Sequence, residues 1–122
     1  MRLRCLIVDD SPGFLRSARV LLEREGVAVV GVASTGAEAV QRAKELRPDV
    51  LLVDIDLGDE SGFEVARRIE ADVGLESRAL IMISTHSGED FDELIAASPV
   101  VGFVPKAELS AAAIREVLDR AH

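Results

Sequence analysis

The chain has 122 residues, 48% of them apolar and 30% charged, with a formal net charge of −8. That length supports one domain with its own core, and that apolar content excludes a disordered segment. The excess of acids argues against nucleic acid as a direct partner, because phosphate backbones are gripped by Lys and Arg, and the absence of Trp and Tyr removes the usual stacking platform for flavins and single-stranded bases.

In chain order, Leu3 to Val8 is a short apolar run ended by Asp9 and Asp10, which predicts a first strand. The single cysteine, Cys5, lies inside that run and is expected in the core. There is then no disulfide framework or zinc cluster, and a reduced, intracellular setting is the simplest reading. The apolar stretch before Asp9 is too short for a signal peptide, and no run approaches the ~20 residues that span a bilayer. A soluble cytoplasmic protein without membrane insertion is expected. Ser11 followed by Pro12 is a strong helix start, and Phe14, Ala18, Leu21, Leu22 and Glu25 follow at helical spacing until Gly26 stops them. Val27 to Ala33 reads as the second strand. Ala39, Val40, Ala43 and Leu46 form the stripe of a second helix closed by Arg47 and Pro48.

Val50 to Val53 is apolar without alternation, as in a strand buried on both faces, and it ends at Asp54. A loop is expected from Gly58 to Gly62, then a third helix with Gly62, Ala66, Ile69 and Val73 on one face, ended by Gly74. Arg78 to Ser84 predicts the fourth strand. Glu89 and Asp90 open a short fourth helix with Phe91, Leu94 and Ile95 on its apolar side. Val100 to Val104 predicts the fifth strand, after Pro99, and Leu109, Ala113, Val117 and Ala121 line a last helix. Strand–helix alternation of this kind implies a parallel sheet covered on both faces. There is no internal repeat or linker, so residues 1–122 are expected to be a single domain without an output domain, a stand-alone protein.

Distinctive groups sit where strands end: Asp9 and Asp10 after the first, Asp54 on the third, Ser84 on the fourth and Lys106 beyond the fifth. If the first, third, fourth and fifth strands are neighbours, these groups meet at one C-terminal edge of the sheet, where open α/β sheets bind ligands. Three crowded carboxylates repel one another and raise at least one pKa. A hard divalent cation relieves that repulsion, and Mg²⁺ suits few carboxylates, a backbone carbonyl and waters. Lys106 adds a mobile charge that can pair with Asp54 or with a phosphoryl oxygen. Such a site lets an aspartate oxygen attack phosphorus while metal and lysine neutralise the equatorial oxygens. Ser84 is placed to hydrogen-bond the transferred group.

With these residues in this order, the chain resembles a receiver domain of two-component response regulators, end to end. The resemblance implies a three-layer (βα)5 flavodoxin-like fold, strand order 2-1-3-4-5. It makes Asp54 the phosphoacceptor and, together with the invariant lysine Lys106, a catalytic residue. Asp9 and Asp10 are metal-binding acids, joined by the Asp54 carboxylate and the backbone carbonyl of Asp56. Ser84 is the hydroxyl that moves toward the phosphoryl group, and Phe103 is the switch aromatic. It further implies a histidine kinase or phosphotransfer protein as donor, and a downstream protein target not named by the sequence. The surface of the fourth helix, fifth strand and fifth helix would change on phosphorylation, in a monomer or a phosphorylation-dependent dimer. The domain would be a switch that catalyses only its own phosphorylation and dephosphorylation.

Several positions depart from the family pattern. The usual proline after the lysine is Ala107, with Pro105 preceding Lys106, and the usual proline four residues after the acceptor is Gly58. Thr85 stands where alanine or glycine is common, and Asp56 adds a negative side chain. Thr85, beside the phosphate-binding Ser84, and Asp56 are therefore expected to tune the phosphoaspartate lifetime.

Taken singly, each residue has a simpler explanation. Asp9 and Asp10 complement a helix N-terminus, Asp54 caps a loop, Ser84 is an ordinary strand-end hydroxyl, Lys106 is a solvated lysine past a strand, and Phe103 is core. Independent explanations do not predict one shared site, and the joint pattern reverses the balance. His86 and His122 have no partner at metal spacing and are expected at the surface, as are Asp59, Glu60, Glu89, Asp90, Asp92 and Glu93. A receiver cut from a longer transcriptional regulator is the main alternative. A phosphatase of the haloacid dehalogenase type shares the strand ending in Asp-x-Asp, but carries its nucleophile on the first strand and its acidic pair after the lysine. A flavodoxin needs a hydroxyl- and glycine-rich loop where this chain has Asp9-Asp10-Ser11-Pro12. A pure interaction module would not need the full set of site residues.

Overall fold

In the computed structural model, which describes residues 2–76, 78–85 and 91–121, the apolar runs pair side by side as parallel strands. They are β1 (Arg4–Val8), β2 (Ala28–Ala33), β3 (Val50–Asp54), β6 (Ala79–Ser84) and β7 (Gly102–Pro105), in the order β2-β1-β3-β6-β7. Between β3 and β6, two short strands, β4 (Asp56–Leu57) and β5 (Glu60–Ser61), form a separate ribbon. Counting only the parallel strands, this is the expected 2-1-3-4-5 order.

The helices are α1 (Pro12–Arg24), α2 (Gly36–Leu46), α3 (Gly62–Asp72), α4 (Asp92–Ala96) and α5 (Ala111–Arg120). Because successive strand residues point to opposite faces, the uninterrupted apolar runs feed two cores at once. Leu6, Val8, Leu51, Val53, Leu80 and Met82 pack against Ala39, Val40 and Ala43 of α2 and Ala66 and Ile69 of α3. Cys5, Ile7, Leu52, Ile81 and Ile83 pack against Ala18 and Leu22 of α1 and Ile114 and Val117 of α5.

Four of the helices start on a hydroxyl that accepts a backbone N–H. Ser11 accepts from Phe14, Thr35 from Glu38, Ser61 from Phe63 and Ser110 from Ala113. Each cap satisfies a donor that the first turn leaves without an intrahelical partner.

The predicted elements are all present, with shifts that have local causes. The last helix does not present Leu109, Ala113, Val117 and Ala121 together. Ser110 caps it after a 3-10 turn at Lys106–Glu108, so its buried face is Ala111, Ile114 and Val117, and Ala121 is exposed. Leu21, expected on the inner face of α1, points outward beside Val20, and Leu94 of α4 is also exposed. The fifth strand begins at Gly102 rather than Val100, because Val100 turns into the core on the α2/α3 side. Glu89 and Asp90, expected to open the fourth helix, and His86 and His122 lie outside the described residues.

The expected loop from Gly58 to Gly62 is instead a two-residue hairpin, with Asp56 opposite Ser61 and Leu57 opposite Glu60. Gly58 has φ 61° and Asp59 is not in the left-handed region, which matches the II′ pattern with glycine at its first central position. Proline, with φ near −65°, cannot adopt that conformation. No peptide bond among the described residues is cis.

Candidate functional site

Strand register alone brings the carboxylates level. Val8 of β1 lies opposite Val53 of β3, so the next residues, Asp9 and Asp54, reach the same height. Asp54 lies opposite Ile83, with Ser84 one residue beyond, and Ser84 lies opposite Pro105, with Lys106 one residue beyond. Side chains from four neighbouring strands therefore converge at the C-terminal edge of the sheet.

Lys106 is the hub. Its Nζ lies 2.6 Å from Asp9 Oδ2 and 3.1 Å from Asp54 Oδ2. Asp9 is 0% and Asp54 6% exposed, so both charges sit largely away from water. The second oxygen of each is held by backbone: Ser11 N–H donates to Asp9 Oδ1 at 2.8 Å and Asp56 N–H to Asp54 Oδ1 at 3.1 Å. Burial pushes the Asp54 carboxyl above its ordinary value, assisted by the Asp9 charge and opposed by Lys106 and the Asp56 N–H. Burial works to lower the Lys106 ammonium, but pairing with Asp9 and Asp54 outweighs it and leaves its pKa raised.

Asp10 is exposed and completes the acidic set, with one oxygen from each of Asp9, Asp10 and Asp54 all within 4.8 Å of one another. Three hard oxygen donors, two on buried side chains, fit a small divalent cation of the Mg²⁺ type, which keeps several waters. Burial first, and the Asp9 charge to a lesser degree, disfavour the ionised Asp54 carboxylate, and a bound cation would offset both.

The remaining predicted residues flank this centre. Ser84 is buried at the end of β6, Thr85 is exposed directly after it, and the Asp56 side chain is exposed in the hairpin. Phe103 lies on β7, half-buried against the α2/α3 side of the core, its ring 6.3 Å from that of Phe91. It is one of the flanking residues, reached through β7 rather than through the acidic cluster.

Three contributors are not legible as such in the sequence. Gly62 is one: a Cβ there would run into the carbonyl of Asp54 and crowd the Ile55 Cα at 2.9 Å. Its N–H donates to Ile55 O at 2.7 Å, so only glycine lets α3 start this close to the end of β3. Glu60, expected as a solvated acid, is half-buried; it accepts from Gly36 N–H at 2.9 Å and pairs with Arg68 at 3.3 Å, tying the hairpin to α2 and α3. Phe14, expected only as a helix-stripe residue, places its ring 4.5 Å from Lys106 Nζ.

The family model described as the response regulator receiver domain matches residues 5–119. The chain belongs to the response regulator receiver domain family. Among relatives, the receiver is 40% identical over 92 residues to a protein-glutamate methylesterase/protein-glutamine glutaminase of Bacillus licheniformis, covering 72% of this chain and 25% of that one. It is 39% identical over 77 residues to the DNA-binding response regulator MtrA of Mycolicibacterium smegmatis, covering 62% of this chain and 32% of that one. The chain thus spans about a third or less of the length of these two relatives.

Solved structures agree on the fold. A two-component response regulator of the LuxR family from Aurantimonas matches with TM-score 0.84 at 27% identity, over 99% of this chain and 86% of that one. The response regulator domain of Thermotoga maritima CheB matches with TM-score 0.75 at 29% identity, over 99% and 94%. This receiver of a two-component system therefore has the flavodoxin-like, five-stranded parallel architecture. No described helix is long and apolar enough to cross a membrane.

Proposed function

We propose that Asp54 of this receiver accepts a phosphoryl group from the phosphohistidine of a histidine kinase or phosphotransfer protein, and that the modified domain presents a changed surface to a downstream protein. The observation that carries this reading is the Lys106 ammonium lying between the carboxylates of Asp9 and Asp54, with Asp10 beside them.

In the transfer, an Asp54 carboxylate oxygen forms the new bond to phosphorus while the bond from phosphorus to the donor nitrogen breaks, and the imidazole leaves with the electron pair. Lys106 stands where it can pass from the Asp54 oxygen to a phosphoryl oxygen. The Asp56 N–H steadies the Asp54 oxygen it already holds. Ser84, at the end of β6, offers a hydroxyl to the incoming group. Mg²⁺, held by Asp9, Asp10, Asp54 and the Asp56 carbonyl, would supply charge neutralisation on the phosphoryl oxygens when bound. No general base is required when the nucleophile attacks as a carboxylate, which carries no proton to remove.

Residues 1–122 are read as one receiver unit that acts as a switch and not as a turnover enzyme. Output would run through Ser84, Thr85 and Phe103 to the face of α4, β7 and α5, where Leu94 and Val101 already expose apolar surface. A second reading places the same receiver within a longer regulator, and the greater length of its relatives favours it.

The test is incubation with acetyl phosphate and Mg²⁺, followed by intact-mass analysis. One hydroxylamine-labile phosphoryl group per chain, lost with chelator and absent in Asp54→Asn, is expected. Continued turnover of a phosphomonoester, or modification that persists in Asp54→Asn, would overturn the reading.

A further inference from the structure

Lys106 Nζ has a third neighbour besides its two carboxylates: the face of the Phe14 ring, with the centroid 4.5 Å away. That separation lies inside the ~6 Å within which an ammonium is drawn to an aromatic face by the ring quadrupole. The ring is well anchored. Phe14 sits in the first turn of α1, its N–H donates to the capping hydroxyl of Ser11, and its side chain packs against the α1/α5 side of the core. The same turn fixes Asp9, since the Ser11 N–H donates to Asp9 Oδ1. One short stretch therefore places both a carboxylate and an aromatic face against a lysine from the far end of the chain.

The two kinds of neighbour behave differently during phosphoryl transfer. Asp54 gives up its free carboxylate charge when its oxygen bonds to phosphorus, and Asp9 is drawn toward any cation held by the acidic cluster. Both partners that hold Lys106 at rest are weakened at the moment its charge is needed on a phosphoryl oxygen. The ring is neutral, does not react and does not bind the cation, so its attraction for the ammonium persists throughout. A flexible four-carbon side chain that lost both carboxylates would otherwise swing toward solvent.

We propose that Phe14 is a positioning residue for phosphoryl transfer, its ring face holding the Lys106 ammonium over the acceptor site while the Asp9 and Asp54 pairings loosen. This rests on the reading of Asp54 as acceptor. The reaction it serves is balanced with acetyl phosphate as donor: the Asp54 Oδ–phosphorus bond forms, the phosphorus–oxygen bond to acetate breaks, and acetate leaves with the electron pair.

The experiment replaces Phe14 with mono-, di- and trifluorinated phenylalanine. This series drains the ring quadrupole stepwise at nearly constant shape, and Phe14→Leu removes the quadrupole altogether. Three quantities are read: the initial rate of Asp54 modification by acetyl phosphate with Mg²⁺, the ring-current shift of the Lys106 ε-methylene protons in metal-free protein by NMR, and urea stability. The rate is expected to fall with each added fluorine while urea titration shows the fold intact, and Phe14→Leu to slow it about 3- to 10-fold, the range that a partly desolvated cation–π contact supports. The ε-methylene protons should lie upfield in the unsubstituted protein and return toward their ordinary position in Phe14→Leu.

Equal rates across the fluorinated series, or ε-methylene protons with no ring-current shift, overturn the proposal. Because the fluorinated chains preserve packing, the result stands even if Phe14→Leu folds poorly. Modification persisting in Asp54→Asn overturns the acceptor reading and this proposal with it. Modification confined to Asp54 at a rate indifferent to fluorination overturns this proposal alone.

Discussion

Replacing Lys106 with Met keeps most of the apolar stem but removes the ammonium that lies 2.6 Å from Asp9 and 3.1 Å from Asp54. Both carboxylates are buried, so water cannot freely take its place. Removing one partner of a buried ion pair costs ~3–5 kcal/mol, because the charge left behind has no counter-charge. Asp9 and Asp54 each keep one backbone N–H, which moderates the loss. A destabilisation of about 3 kcal/mol is therefore expected in chelator, or about 10 °C in Tm for a domain of this size.

Urea unfolding followed by circular dichroism, with chelator and then with Mg²⁺, measures it. Mg²⁺ should restore most of the deficit, since the three carboxylates remain to share the cation. The pH dependence has a definite sign. Asp54 already has a raised carboxyl pKa in the folded protein, and loss of Lys106 removes a group that lowers it. The folded state then holds that proton to higher pH than the unfolded chain does, so stability is fully present below the unfolded aspartate pKa and is lost as pH rises through the folded one. The deficit of Lys106→Met should thus shrink in acid. Equal stability with and without the lysine at neutral pH, or a deficit that Mg²⁺ and acid both leave untouched, would refute the electrostatic account.

Other substitutions probe different links. Gly62→Ala should destabilise by about 1–3 kcal/mol through overpacking against Asp54 and lower the modification rate. Gly13→Ala, where a Cβ meets nothing within 4 Å, should be neutral or stabilising by up to ~1 kcal/mol, and comparative urea titrations separate the two. Asp56→Ala combined with Thr85→Ala, both exposed and each close in sequence to a residue of the candidate site, should change the decay rate of the phosphorylated domain measured by mass spectrometry; an unchanged decay rate discards their tuning role. The buried Cys5 thiol is pushed up to about 12 by desolvation. The unfolded thiol ionises near ~8.5, so stability should decline as pH rises from there toward the folded value, and Cys5→Ala should flatten that slope.

Much of the fold is legible in the order of the residues, for physical reasons. Apolar runs without alternation, such as Val50–Val53, require burial on both faces, and their alternation with amphipathic helices leaves few arrangements. Helix starts marked by a hydroxyl and proline, as at Ser11-Pro12, are equally legible, because capping is a local interaction. The candidate site is legible through ordered strand ends: Asp9, Asp10, Asp54, Ser84 and Lys106 each follow an apolar run, and a parallel sheet brings such ends to one edge.

The set of elements and the groups at their ends follow from local pattern, because hydrophobic period and capping act over a few residues. Tertiary structure alone decided which faces and contacts those elements share. Leu21 satisfies helical spacing yet points outward, Glu60 looks like a solvated acid yet braces α2, and Gly62 reads as a turn glycine yet makes room for the Asp54 carbonyl. The pairing of Phe14 with Lys106 joins the first helix to the end of the last strand. Contacts of that separation depend on strand register and helix rotation, quantities set by the packing of every element at once and carried by no local pattern.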